Sequence, residues 1–107
     1  MDELFKKFLP QFTELARDRL KRAYAAAASP DEPTLIAVIR DLHGIAGEAG
    51  LLGLGPIVKI ARSAEEHAKR LRDGRSEAEA AAFVDALRAL GAELEKVGAT
   101  DMPTEHT

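Results

Sequence analysis

An all-α fold, an antiparallel up-down-up-down four-helix bundle, is what this sequence predicts, and three observations predict it. Ala, Leu, Glu, Lys and Arg dominate the chain, with four Phe, one Tyr and no Trp, and β-branched residues are scarce; such composition favours helix over sheet. Apolar residues recur at the i, i+3, i+4, i+7 spacing in successive segments of roughly 20 residues, the signature of helices with one buried face. The breaks between segments are short and carry Pro, Gly or Ser, which makes sequential helices antiparallel neighbours. At 107 residues the chain is one domain with one core. An open helical array is the alternative arrangement of the same elements.

The first helix covers residues 2 to 27 and places Phe5, Phe8, Phe12, Leu15, Ala16, Leu20, Ala23 and Ala27 on one face. Pro10 removes an internal hydrogen bond and is expected to kink this helix or split off its first turns. Its phenylalanine face is also a candidate dimerisation surface. The "SPDEP" turn at 29 to 33 starts the second helix, because its prolines suit a first turn and Asp31 and Glu32 suit the positive end of the helix dipole. That helix, residues 33 to 52, buries Leu35, Val38, Ile39, Leu42, Ile45, Ala49 and Leu52. "GLGP" at 53 to 56 ends it, and Pro56 opens a third helix with Ile57, Val58, Ala61, Ala64, Ala68 and Leu71 inward. Asp73-Gly74 closes the third helix with a left-handed glycine cap. Ser76 and Glu79 form a capping box for the fourth, whose core positions are Phe83, Leu87, Leu90, Leu94 and Val97. Gly98 ends it, so residues 1 to 98 form the bundle and 99 to 107 a flexible C-terminal tail.

Several function classes are excluded at this level. The chain has no cysteine, which removes thiol nucleophiles, disulfides and thiolate metal sites. Its net charge is −3 with acids and bases interspersed, so no basic stripe follows a phosphate backbone and nucleic acid is not an expected partner. No signal peptide is legible, and no apolar run approaches the roughly 18 residues of a membrane span. A cytoplasmic protein is expected.

The informative stretch is "RDLHGIAGEAGLLGLGP", residues 40 to 56. On a helical wheel His43 falls about 110° from the centre of the second helix's apolar set, at the border of core and solvent. Ile36, Ile39, Arg40, Gly47 and Gly50 lie on its side, with Gly44 a further gap on the outer face. Glycine inside a helix costs about 0.8 to 1 kcal/mol against alanine, so Gly44, Gly47 and Gly50 together give up about 2 to 3 kcal/mol. In a domain stable by about 5 to 15 kcal/mol, that loss calls for a reason. Clearance is one: with no side chain at Gly47, a bulky group or another protein can approach the imidazole, which suits nucleophilic or group-carrying chemistry. Two plainer readings compete, a tolerated boundary histidine and glycines that permit close helix packing.

The run His43-Gly44-Ile45-Ala46-Gly47-Glu48-Ala49-Gly50-Leu51-Leu52-Gly53 resembles the active-site helix of histidine-containing phosphotransfer (HPt) domains. His43 matches the phosphorylated histidine, Ile45 the apolar position two later, Gly47 the glycine that exposes the ring, Ala49 a small position, and Leu52-Gly53 the helix-ending pair. The following "IVKIARSAEEHAK" is similar to the family's next helix, where small and apolar residues precede an acidic pair. The resemblance implies a phosphoryl group carried by His43 between aspartates of response-regulator receiver domains or of a hybrid histidine kinase. It further implies a monomer without cofactor or metal of its own, with Mg²⁺ on the partner receiver. Arg40 and Gly47 would support the phosphoryl group, and Ile36, Ile39, Gly44 and Gly50 would dock the partner. One departure stands out: Ala46 occupies the place of the family's usual lysine. Arg40, Lys59 and Arg62 are the candidate replacements for its charge, and Glu48, where a small residue is usual, is expected to point outward. A noncatalytic relative that binds a receiver without accepting phosphate is therefore the alternative.

Other chemistry finds less footing. "GLLGLGP" lacks the strand and lysine of a phosphate-binding loop, so no autonomous kinase activity is expected. His43, His67 and His106 lie on different segments without metal-ligand spacing, and His67 reads as a solvated helix residue. Ser29, Ser63 and Ser76 read as a turn residue, a helix residue and a cap rather than nucleophiles.

Overall fold

The computed structural model describes residues 2 to 101, and within it the side chains at 2, 4 and 99 to 101 are not described. Four helices follow in order: α1 (Asp2–Ala28), α2 (Glu32–Leu51), α3 (Gly55–Asp73) and α4 (Glu77–Asp101). Helices α1 and α2, α2 and α3, α3 and α4, and α4 and α1 pack against one another, which closes a ring of neighbours. With short connections this is the antiparallel four-helix bundle, 47 × 25 × 19 Å, rather than an open array. The core is layered from all four helices, with Leu9, Phe12, Leu35, Leu42, Ile45, Ile57, Leu71, Phe83, Leu87, Leu90 and Leu94 buried around a seam of alanines. Small residues on α1 and α3 (Ala16, Ala23, Ala61, Ala64, Ala68) let the larger side chains of α2 and α4 fill the interior at close packing.

The local signals that start the helices act as their chemistry requires. The Asp31 carboxylate accepts a hydrogen bond from the Thr34 backbone N–H at 2.9 Å, capping α2, and a proline occupies the first turn. Gly53, at φ +73°, is the left-handed residue that ends α2, and a proline again opens α3. Ser76 Oγ accepts from Glu79 N–H at 3.1 Å, which caps α4.

Four expectations are corrected. Helix α1 runs unbroken through Pro10: both Pro10 and Lys6, whose carbonyl loses its usual partner, are exposed, so the break in the ladder faces solvent. The buried face of α1 holds the expected Phe12, Ala16 and Ala23, with Phe5, Leu20 and Ala27 packed against the core, but Phe8 and Leu15 do not belong to it. Leu9, Thr13 and Ala26 are buried, while Phe8 and Leu15 are 40 % and 42 % exposed, because the contacts with α2 and α4 centre on the Leu9, Phe12, Ala16, Ala23 line. Gly74 is extended (φ −161°, ψ 115°), not left-handed; its N–H closes the last turn on the Arg70 carbonyl at 2.9 Å, and Ser76 N–H bonds back to the Gly74 carbonyl at 3.0 Å before the α4 cap. Helix α4 continues past Gly98 to Asp101, and the Arg17 guanidinium lies over that glycine where a Cβ would be 2.7 Å from Nη2. The remainder of the expected tail, 102 to 107 with His106, lies outside the described residues.

Candidate functional site

Helix α2 turns its apolar face inward with Leu35, Val38, Leu42, Ile45, Ala46 and Ala49 buried. His43 stands beside that face, about 110° from its centre, with its ring turned outward along α3. Its side chain is 79 % exposed, more open than a border position would be. Nδ1 meets Glu65 Oε2 of α3 at 3.2 Å. A carboxylate only accepts, so the neutral imidazole that bonds it donates from Nδ1–H and keeps its lone pair on Nε2, across the ring from Glu65. Glu65 is itself held: the residue is 8 % exposed, and Lys69 Nζ lies 3.5 Å from the same Oε2.

The glycines divide into two kinds. A Cβ built on Gly47 meets nothing within 4 Å, and one on Gly50 only touches Val58 Cγ2 at 4.0 Å. Among the described residues neither is required by packing. Gly44 differs. It is half-buried, and Arg19 Nη1 of α1 would sit 3.1 Å from its Cβ, so the gap expected there is filled by a guanidinium. Arg19 in turn pairs with Glu48 at 3.1 Å, which ties Glu48 to α1 instead of leaving it simply outward.

Of the other residues that the sequence points to, Ile36 is 38 % exposed, Ile39 is half-buried against the core, and Arg40 is exposed one turn before His43 with no ion pair or hydrogen bond among the described residues. The contacts of Glu65 with position 43 and of Val58 with position 50 fix the antiparallel register of α2 and α3. That register sets Arg62 abreast of Ala46 and Gly47, and Lys69 abreast of Ile39. Ala46 is 4 % exposed, so the site where the family carries lysine is here part of the α2 seam. His67 is not solvated: its Nδ1 lies 2.7 Å from Glu79 Oε1, and both side chains are largely buried between α3 and α4. Glu79 thus makes half of the expected capping box, its carboxylate being engaged by His67.

Two features were not singled out from the sequence. Glu65 was visible only as part of an acidic pair, and its 22-residue separation from His43 has no helical meaning until α2 and α3 are docked. The second is an apolar groove of about 500 Å³ between Phe8, Phe12 and Leu15 of α1 and Leu51 and Leu52 at the end of α2, with Gln11 and Glu48 beside it. Leu51, 87 % exposed, lies one turn beyond Gly47 on the His43 stripe, so groove and histidine share a surface. Among the described residues no group of three or more His, Asp or Glu side chains is placed to hold a metal ion, and no helix is long and apolar enough to cross a membrane.

Comparison with known proteins finds that the Hpt domain family matches residues 7–100. The chain belongs to the Hpt domain family. It is also 32 % identical over 87 residues to a gliding motility regulatory protein of Myxococcus xanthus, a match spanning 78 % of this chain and 11 % of that relative. No solved structure matches it. Membership in the Hpt family, with a regulatory relative, supports a signalling role of the phosphotransfer type.

Proposed function

We propose that this Hpt domain carries a phosphoryl group on His43 Nε2 and relays it between aspartates of response-regulator receiver domains, or from the receiver of a hybrid kinase, in a multistep phosphorelay. The observation that carries this reading is the imidazole itself, 79 % exposed with Nδ1 on Glu65 and open space above Gly47. In the step, the Nε2 lone pair forms a bond to phosphorus as the phosphorus–oxygen bond of the aspartyl phosphate breaks. The electron pair leaves on the aspartyl carboxylate, and the Nδ1 proton stays between ring and Glu65. Glu65 favours the reaction because the ring gains positive charge as the new bond forms, and a fixed anion at Nδ1 stabilises that charge. Return transfer is the same step reversed.

The chain's own contribution is a nucleophile, a support and a dock. Arg40, exposed and without an ion pair among the described residues, supplies positive charge near the phosphoryl group, and Gly47 supplies room for in-line approach. The receiver docks over Ile36, part of Ile39, Gly47 and Gly50, and its contact extends over Leu51 into the apolar groove. Gly44, covered by Arg19, contributes shape to the floor of this surface and not a free contact. No cofactor or metal is proposed on this chain, the Mg²⁺ of the reaction being held by the receiver, and the domain acts as a monomeric carrier in the cytoplasm without kinase activity of its own.

The test is transfer from a radiolabelled phosphorylated receiver. Label that is acid-labile and base-stable should appear on the parent chain and not on His43→Gln. Equal label on the variant would remove His43 from the role, and receiver binding without any label would make the chain a docking module.

A further inference from the structure

The contact between His43 and Glu65 has a third member. Lys69 stands one turn beyond Glu65 on α3, and its Nζ lies 3.5 Å from Oε2, the same oxygen that His43 Nδ1 meets at 3.2 Å. Its other neighbour is Glu66 Oε2 at 3.7 Å. A Glu–Lys pair at i, i+4 on an open helix face contributes little, because water screens it on every side. This pair is different, since the Glu65 side chain is only 11 % exposed and the Lys69 side chain 40 %. A carboxylate so withdrawn from water depends on its fixed partners for charge compensation.

Position 46 gives the arrangement its significance. Alanine there is buried and brings no charge to the histidine. Of the cations near the site, Arg40 and Arg62 make no ion pair among the described residues, whereas Lys69 is linked to the imidazole through one shared oxygen. The positive charge that position 46 lacks has a counterpart on α3, delivered through Glu65.

Building on the reading of His43 as phosphoacceptor, we propose that Lys69 is a positioning residue, which holds the Glu65 carboxylate aimed at the ring so that the proton stays on Nδ1 and the lone pair on Nε2. The balance of the reaction explains why this matters. As Nε2 bonds to phosphorus and the aspartyl oxygen departs, the ring becomes cationic and needs an anion at Nδ1–H that accepts its hydrogen bond without taking its proton. A ring that lost that proton would carry the phosphoryl group more firmly and pass it on more slowly. With the ammonium on Oε2, the carboxylate already has a cation to itself, and the proton remains with the ring. Lys69 touches neither phosphorus nor partner in this scheme.

The experiment compares the parent, Lys69→Ala and Lys69→Arg in single-turnover transfer from a phosphorylated receiver, together with ¹⁵N-correlated spectra of the His43 ring. Lys69→Ala should lower the maximal rate about three- to tenfold, the effect of one partly screened charge, and leave the half-saturating receiver concentration unchanged. It should also raise the fraction of His43 protonated on Nε2, and Lys69→Arg should restore both readouts. A maximal rate and tautomer ratio equal to the parent's in Lys69→Ala would overturn the proposal. So would a change confined to the half-saturating concentration, which would make Lys69 a docking residue. Label persisting on His43→Gln would strike the underlying reading instead, so the two failures are distinguishable.

Discussion

Gly47 separates a glycine kept for the fold from one kept for a visitor. Alanine at this position adds a Cβ that meets no atom within 4 Å, so no strain offsets its helix propensity. Gly47→Ala should therefore stabilise the domain by about 0.8 to 1 kcal/mol, which in a domain of this size raises Tm by roughly 4 to 8 °C. Leucine, nearly as good a helix former, should retain most of that gain because its side chain also projects into solvent. Function should move the other way. A leucine one turn from His43 stands where the proposed relay brings the receiver, and displacement of reacting groups by about 1 Å costs on the order of a hundredfold. Transfer from a phosphorylated receiver to Gly47→Leu should fall at least tenfold, whereas phosphorylation by a small donor such as phosphoramidate should fall far less. Thermal melts and the two transfer assays on one set of variants give the answer. Receiver transfer at the parent rate in Gly47→Leu, or a lower Tm in Gly47→Ala, would refute the reasoning.

Three other predictions address the support of the site and the fold. Glu65→Gln keeps a side chain of the same size but lacks the anion at Nδ1, and stopped-time labelling should show acceptance slowed by about ten- to a hundredfold with far-UV circular dichroism unchanged. Phe83 is wholly buried in the N-terminal half of α4, so Phe83→Ala should cost about 3 to 5 kcal/mol in urea unfolding. The hydrogen bonds from Thr34 hold the Asp31 carboxyl below its ordinary value of 3.8. The capped α2 is consequently favoured at pH above that value and loses the contribution as pH falls through the lowered one. Asp31→Asn, which caps without titrating, should flatten that part of the stability profile below about pH 4 in acid unfolding followed by circular dichroism.

Periodicity carried most of the fold. Helix starts at the "SPDEP" and "GLGP" breaks, the Ser76 cap and the core line of α4 were legible because local chemistry and burial agree there. The face of α1 was misjudged because Phe8 and Leu15 carry the helical spacing yet line an external groove; hydrophobicity marks a surface to be covered without saying by what. Pro10 and Gly98, breakers by propensity, are absorbed because one lies on an exposed face and the other beneath Arg17. At the site, His43 and Gly47 share a single helix, so angle alone puts them on one side of it, but it puts at the border of core and solvent a ring that is 79 % exposed. Glu65 and Lys69 reach the same place from α3, and only the register between two helices reveals them. Gly44 shows the converse, a gap on the wheel that a neighbouring helix fills.

The most direct measurement is the chemical identity of the group transferred to this domain. After incubation with a phosphorylated receiver, peptide mapping under neutral conditions should find phosphate on the His43 imidazole, at Nε2 by ³¹P–¹H correlation, and nowhere else in the chain. Phosphate at Nδ1, on another residue, or undiminished in His43→Gln would contradict the account.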